Sequence, residues 1–406
     1  MDESKSLPLE GVKVVELAEH GFVPAAAAAL ADWGANVVKL EKPGGDALRS
    51  VMAQGLIEPT DRFNYVVEIA NRNKRNLCLD LAVPEGRALL DRLVAWADVF
   101  ITNQLPKVLR KYRIEAEDLF RVNPRLVYAR GHGQGQRGPD AEAGGFDGVS
   151  YFARAGLAHM LTPTGAPSIV GSRPALGDFP TGVQLAGGIA AALVKSLRTG
   201  QGVKVDVSLL AGGIWQLGPD LAYASYAGRE PKKQRQGGPV ATPLVATHKT
   251  RDDRFLSFSM LQEERYWPRV CRALGLEAWL ADPDYATPEL RARRAQEIHA
   301  EFGRRIASQP LAHWQERLSE CECVFARYAN PVEVLSDPQV LANGYLPAHP
   351  TIPGARLPAT PQQFDDQPVR IRRGAPARGE HSEEVLREIG LGPGEIAALH
   401  EAAAIG

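Results

Sequence analysis

One acid in this chain stands where a carboxylate can do more than carry charge. Asp178, in the stretch SRPALGDFPTG (172–182), lies between Gly177 and Gly182 at the mouth of VQLAGGIAAALVKSL, an apolar segment that reads as a helix. An aspartate at a helix start is first an N-cap, its oxygen accepting backbone N–H bonds for about 1 kcal/mol. The same place has a second use, because the positive end of a helix favours an ionised carboxylate, and an ionised carboxylate attacks carbonyls. Flanking glycines would let a bulky substrate come close. Residue types alone leave cap and nucleophile both open.

Other chemistry is thinner. GHGQGQRG (131–138) follows a strand-like run but leads into PDAEAGG instead of a helix, so it reads as a flexible loop and His132 as a loop histidine. The turn EHGFVPAA after the first strand lacks the G-x-G-x-x-G of dinucleotide sites. Neither a Walker A sequence nor a G-x-S-x-G elbow occurs. Among Cys78, Cys271, Cys321 and Cys323, the C-E-C pair has no second pair or nearby histidine to complete a zinc site. Structural thiols of a reducing compartment are expected, and no metal.

The elements that must position Asp178 follow an α/β rhythm. Strands are read at 12–18 (VKVVELA), 35–41, 76–81, 98–103 and 125–131, and helices at 24–34 and 84–97. Pro24 opens the first helix and Gly34 follows its end. Strands alternating with helices predict a mostly parallel sheet covered on both faces. GREPKKQRQGGPVATP (228–243) reads as a linker, and 250–260 as a hairpin followed by a strand. The Arg- and Glu-rich stretch 287–320 reads as solvated helices. The proline-rich segment 346–361 reads as extended, and two short helices close the chain, the first capped by Ser382.

With 406 residues, 44% of them hydrophobic, the chain exceeds one ordinary domain, so two are expected. A net charge of -1 from 47 basic and 48 acidic residues offers no footprint for nucleic acid or an anionic membrane. MDESKSLPLEG has no secretory pattern, and no apolar run approaches a spanning length. A soluble cytoplasmic protein with a small-molecule partner is the expectation.

Seven stretches in order resemble the class III coenzyme A transferases, a family that shares its fold with α-methylacyl-CoA racemases. They are LADWGANVVKLEKPGGDALR (30–49), NRNKRNLCLDL (71–81), FDGVSYFARAG (146–156), LGDFPTGVQLAGGIAAAL (176–193), GQGVKVDVSLL (200–210), LSDPQVLANGYL (335–346) and GEHSEEVLREIGL (379–391). The resemblance implies a Rossmann-like large domain, residues 1–225 completed by a return segment 331–406, plus a smaller α+β domain at 226–330. It also implies an interlocked, ring-like homodimer.

For function, the resemblance implies an acyl-CoA:carboxylate CoA-transferase, with an acyl-CoA and a free carboxylic acid as partners and no permanently bound cofactor. Asp178 is then the nucleophile, passing through an aspartyl anhydride and an aspartyl-CoA thioester, with amides near Phe22 and Val23 facing the oxyanion. Lys42, Asn71, Lys74, Arg75, Asn103 and Lys111 match positions that would hold coenzyme A. The alternative is an α-methylacyl-CoA racemase, but where that branch carries a histidine this chain has Phe146, which moves no proton. His132 would have to substitute. A non-catalytic acyl-CoA-binding subunit is a third reading, disfavoured by the retained GDFPTG. Two departures from the family stand out: NQLPK (103–107) replaces a stretch with an aromatic and an arginine, and the covering loop, RQGGPVATP (235–243), has only Gly237 and Gly238.

Overall fold

The computed structural model describes residues 6–233 and 242–406. The chain forms two compact units, Met1–Thr162 with Ala166–Lys233 and Pro338–Gly406, and Pro163–Gly165 with Gln234–Asp337. Among the described residues no helix is long and apolar enough to cross a membrane.

The first unit opens with β1 (Lys13–Leu17), α1 (Phe22–Asp32) and β2 (Asn36–Glu41), then α2 (Tyr65–Asn71), β3 (Arg75–Cys78) and α3 (Pro84–Trp96). It continues through β4 (Val99–Thr102), α4 (Pro106–Tyr112), α5 (Ala116–Val122) and β5 (Val127–His132). A π-helical segment at Asp147–Arg154 precedes α6 (Leu157–Leu161), α7 (Asp178–Thr199), β6 (Val203–Ser208), α8 (Leu209–Gln216) and α9 (Gly218–Ala227). The six strands make one sheet in the order β3-β2-β1-β4-β5-β6, and every neighbouring pair is parallel.

Period-2 burial within a parallel sheet sends alternate residues to two cores. Val14, Val37, Val99, Val127 and Ala129 pack under α1 and α7, while Val15, Val38, Phe100 and Tyr128 pack on the other face with α3 and α5. The chain's last segment completes that second face with Val385, Leu386, Ile396 and Ile405. All eleven residues of α1 are buried: ten are apolar, as a helix inside the core requires, and the eleventh, Asp32, is paired with Arg72 at 2.6 Å. Its slim side chains let α7 come close, and a Cβ on Gly182 would lie 2.9 Å from the Phe22 carbonyl oxygen.

Several boundaries differ from the sequence reading for local reasons. α1 starts at Phe22, ahead of Pro24, because a proline within the first turn forfeits no intrahelical bond. Ser382 is not the cap of its helix, whose N-cap is His381. Its hydroxyl instead accepts the Cys78 N–H at 3.2 Å and donates to the Gly406 carbonyl at 3.3 Å, tying the chain end to β3.

In the second unit, β7 (Thr247–Lys249), β8 (Phe255–Phe258) and β9 (Phe325–Arg327) form an antiparallel sheet. The helices Glu263–Leu274, Ala295–Ile306 and Leu311–Glu320 bury Trp267, Phe302 and Trp314 in one core. The stretch read as solvated is therefore amphipathic, and Arg291 within it is buried. Its Nε donates to Glu263 Oε1 at 2.5 Å and its Nη1 to the Tyr285 carbonyl at 2.8 Å. Residues 235–241 of the expected covering loop lie outside the described residues.

Candidate active site

Strand order reverses between β1 and β4, and open α/β sheets bind ligands at that switch point, beyond the carboxyl ends of the strands. Two clefts of the first unit lie there. One of about 320 Å³ is lined by residues following β1, β4 and β5, by the 141–146 segment and by Asp178. The second, about 220 Å³, is lined by Lys42, Asp80, Lys111 and Tyr112 among others. Glu19 and Gln104 line both, so the clefts adjoin.

Asp178 is the first residue of α7, but it is not the cap. The N-cap is Gly177 and the Asp178 side chain makes no capping bond. Asp147, from the π-helical segment, takes that work by accepting the Gly177 N–H at 2.9 Å. With its structural duty met by another residue, the Asp178 carboxylate lies against Gly21, where an added Cβ would be driven into Oδ2. Burial first, and then the charge of Asp147, push its pKa up to about 7. Burial also raises Asp147. The flanking glycines do not open the site to substrate as expected: a Cβ on Gly177 would strike the Tyr151 ring, and Gly182 faces α1.

The turn carrying Gly21 is pinned at nearly every residue. Lys39 Nζ donates to the Ala18 carbonyl at 2.9 Å and Asp46 Oδ1 accepts the His20 N–H at 3.0 Å. The Asn103 amide accepts the Glu19 N–H at 3.1 Å and donates to the Glu19 carbonyl at 2.6 Å. Lys74 Nζ donates to the Pro24 carbonyl at 2.9 Å. His20 takes φ 69°, a left-handed value that costs a non-glycine residue energy and persists only where the surroundings impose it. The pinned turn brings Gly21, the residue before α1, against the Asp178 carboxylate, and the first amides of α1, those of Phe22 and Val23, follow directly in the chain. Such amides have no carbonyl one turn back to bond, so they are available to an oxyanion.

The residues singled out from the sequence separate into groups. Asp178, Phe22, Asn103 and Phe146 line the larger cleft, and Lys42 and Lys111 the smaller one. Lys42 is exposed and 2.8 Å from Glu19; Lys111 lies over the Tyr112 ring. Val23 is buried beside Gly131. Three expected coenzyme ligands line neither cleft. Asn71 and Lys74 are buried and bonded to each other at 3.2 Å, with Lys74 on Glu16 at 2.6 Å. Arg75 binds Glu384 at 2.8 Å and Glu388 at 2.6 Å, bracing β3 against the helix Ser382–Glu388. Asn103, though at the cleft, spends its amide on Glu19. His132 is likewise committed: Nδ1 accepts the Gly135 N–H at 3.1 Å, which leaves Nε2–H to donate to Asp206. Phe146 is 60% exposed and meets the His20 ring edge-on at 5.3 Å. Sequence reasoning missed Gly21, Asp147 and the cleft residue Arg130, none of which carries a local signal.

The architecture is that of open, parallel α/β proteins with their ligand crevice at the switch point. The chain belongs to CoA-transferase family III, whose sequence model matches residues 9–382. It is 32% identical over 404 residues to a cinnamoyl-CoA:phenyllactate CoA-transferase of Clostridium sporogenes, covering 98% of this chain and 97% of that one. A succinate–glutarate CoA-transferase of Agrobacterium fabrum is 34% identical over 397 residues, covering 94% and 96%. Among solved structures, a CaiB/BaiF family protein from Brucella suis superposes with a TM-score of 0.80 at 27% identity, covering 95% of this chain and 100% of that one.

Proposed function

We propose that this protein moves coenzyme A between an acyl-CoA and a free carboxylic acid, with Asp178 as covalent nucleophile. The observation that carries the reading is that Asp147, not Asp178, accepts the Gly177 N–H at the start of α7, which leaves the Asp178 carboxylate without a capping bond and against Gly21, the residue before α1. A carboxylate oxygen of Asp178 attacks the thioester carbonyl, the C–S bond breaks, and coenzyme A leaves as thiolate from an aspartyl–acyl anhydride. The thiolate then attacks the aspartyl carbonyl, releasing the donor's acid and leaving an aspartyl-CoA thioester. The incoming carboxylate attacks that thioester to form a second anhydride, and the thiolate takes its acyl carbon, restoring Asp178. Each tetrahedral oxyanion would draw on the Phe22 and Val23 amides, and Lys42 and Lys111 would meet coenzyme phosphates in the adjoining cleft. A racemase reading finds little support, since Phe146 has no proton to move and His132 is held between Gly135 and Asp206.

The test is incubation with a panel of acyl-CoA thioesters and hydroxylamine, followed by peptide mass spectrometry. A hydroxamate on Asp178 is expected. Deuterium exchange at the acyl Cα with no label on Asp178 would overturn the reading in favour of the racemase.

We also propose that two copies associate through the face bearing α8 and α9. α9 has no buried residue, Tyr226 is 95% exposed and Trp215 79%, an apolar display that a second chain would cover. Light scattering is expected to give twice the 44.0 kDa chain mass. A monomer at micromolar concentration would exclude this.

A further inference from the structure

We propose that Arg130 receives a second carboxylate on the acid that this protein handles, so that its substrate is a dicarboxylic acid. The inference rests on the transferase reading of Asp178 and adds the substrate class. Arg130 lies near the end of β5 and lines the same cleft as Asp178, the one lysine or arginine among the described residues that do so. Its Nε is shut off from water and has no hydrogen-bond partner among the described residues. The carboxylates around it are engaged elsewhere. Asp206, opposite Arg130 in the β5–β6 register, accepts from His132. Glu142 holds Arg110 through two bonds of 2.9 and 2.8 Å.

A half-buried guanidinium whose Nε has no hydrogen-bond partner is costly, and its planar fork of donors matches a carboxylate in two-point geometry. Which anion it serves follows from the reaction. In the acyl-CoA, the reacting carboxyl is an uncharged thioester, so it offers Arg130 nothing during the first half of the cycle. Coenzyme phosphates have exposed lysines in the adjoining cleft. A second carboxylate on the acyl group is the anion present in the cleft throughout. Phe22, Leu105, Pro106 and Leu209 line the same cleft with apolar surface for the carbon chain that separates the two carboxyls.

The test is titration calorimetry of the full-length protein with free succinate, glutarate and adipate, against monocarboxylic acids of the same chain lengths, for wild type, Arg130→Gln and Arg130→Lys. Wild type is expected to bind one of the dicarboxylates at least tenfold more tightly than its monocarboxylic counterpart. Arg130→Gln should lose about 10- to 100-fold for the dicarboxylate and nothing for the monoacid, with Arg130→Lys between them. Free coenzyme A should bind all three proteins alike, which also shows that the variants fold. Equal binding of mono- and diacids by wild type would overturn the inference. So would a loss of coenzyme A affinity in Arg130→Gln, which would assign the guanidinium to a phosphate. Because binding is read without turnover, failure of the transferase reading shows separately, as absence of label on Asp178.

Discussion

Replacing Asp178 by asparagine is expected to abolish CoA transfer, by at least ~10⁴-fold as for other covalent nucleophiles, and to raise the melting temperature. The two effects have one origin. In the folded protein Asp178 titrates at about 7 against a usual 3.8, because burial and then Asp147 disfavour its charge. Between those values the native state holds a proton that the unfolded chain has released, so stability falls as pH rises from about 4 to about 7 and stays reduced above that. Each unit is worth about 1.4 kcal/mol when fully expressed. Since the carboxylate is only partly shielded, about 2 kcal/mol is the expected gain in Asp178→Asn at pH 8, a few degrees in Tm. The variant's advantage should vanish near pH 4. For the wild type, labelling of Asp178 by a thioester should rise with pH around a midpoint near 7. Asp147→Asn retains an oxygen for the Gly177 N–H but removes the like charge, so that midpoint should move down. Identical melting curves for wild type and Asp178→Asn at pH 8, or a labelling rate flat from pH 5 to 9, would show that the carboxylate is not held in this strained state.

What the sequence made legible was local. Alternating apolar runs located β1 through β5, and the alanine run behind Pro24 located α1, since such patterns are set by neighbours in the chain. β6 was visible only as part of a resembling stretch: VKVDVS alternates inward valines with exposed lysine and aspartate at the sheet edge, a pattern too short to stand by itself. The site residues divide along the same line. Asp178 announced itself through its helix. Whether it capped that helix depended on Asp147, and Arg75, matched by resemblance to a coenzyme position, is held by Glu384, 309 residues further on. Arg130 gave no signal, because an arginine lacks a partner only relative to a completed fold. Composition and spacing report what a residue is able to do, and long-range pairing decides which of those abilities is left unused.

The same principle makes Lys39, inside the strand NVVKLE, a second point of large effect. Lys39 is fully buried, 2.8 Å from Asp46 and 3.3 Å from Glu16, and the attraction of these two carboxylates outweighs burial to keep it charged. Lys39→Met preserves length and apolar contact but strands Asp46 and weakens the hold on Glu16, which keeps only Lys74. Removing one partner of a buried ion pair costs about 3–5 kcal/mol, and a loss in that range is expected in urea denaturation. Lys74, held down to about 8 by burial and in part by the charge of Lys39, should titrate higher in the variant. The loss should extend to chemistry: the Ala18 carbonyl loses its donor, Asp46 loses the cation that anchors it to the His20 amide, and the turn beside Asp178 loosens. Adding Asp46→Asn to Lys39→Met removes the stranded charge and should recover part of the stability. It should not recover the rate of Asp178 labelling, because the donor to Ala18 is still missing. Recovery of both together would mean that the buried charges only support the fold; recovery of stability alone would mean that they also set the position of the turn against which the nucleophile works.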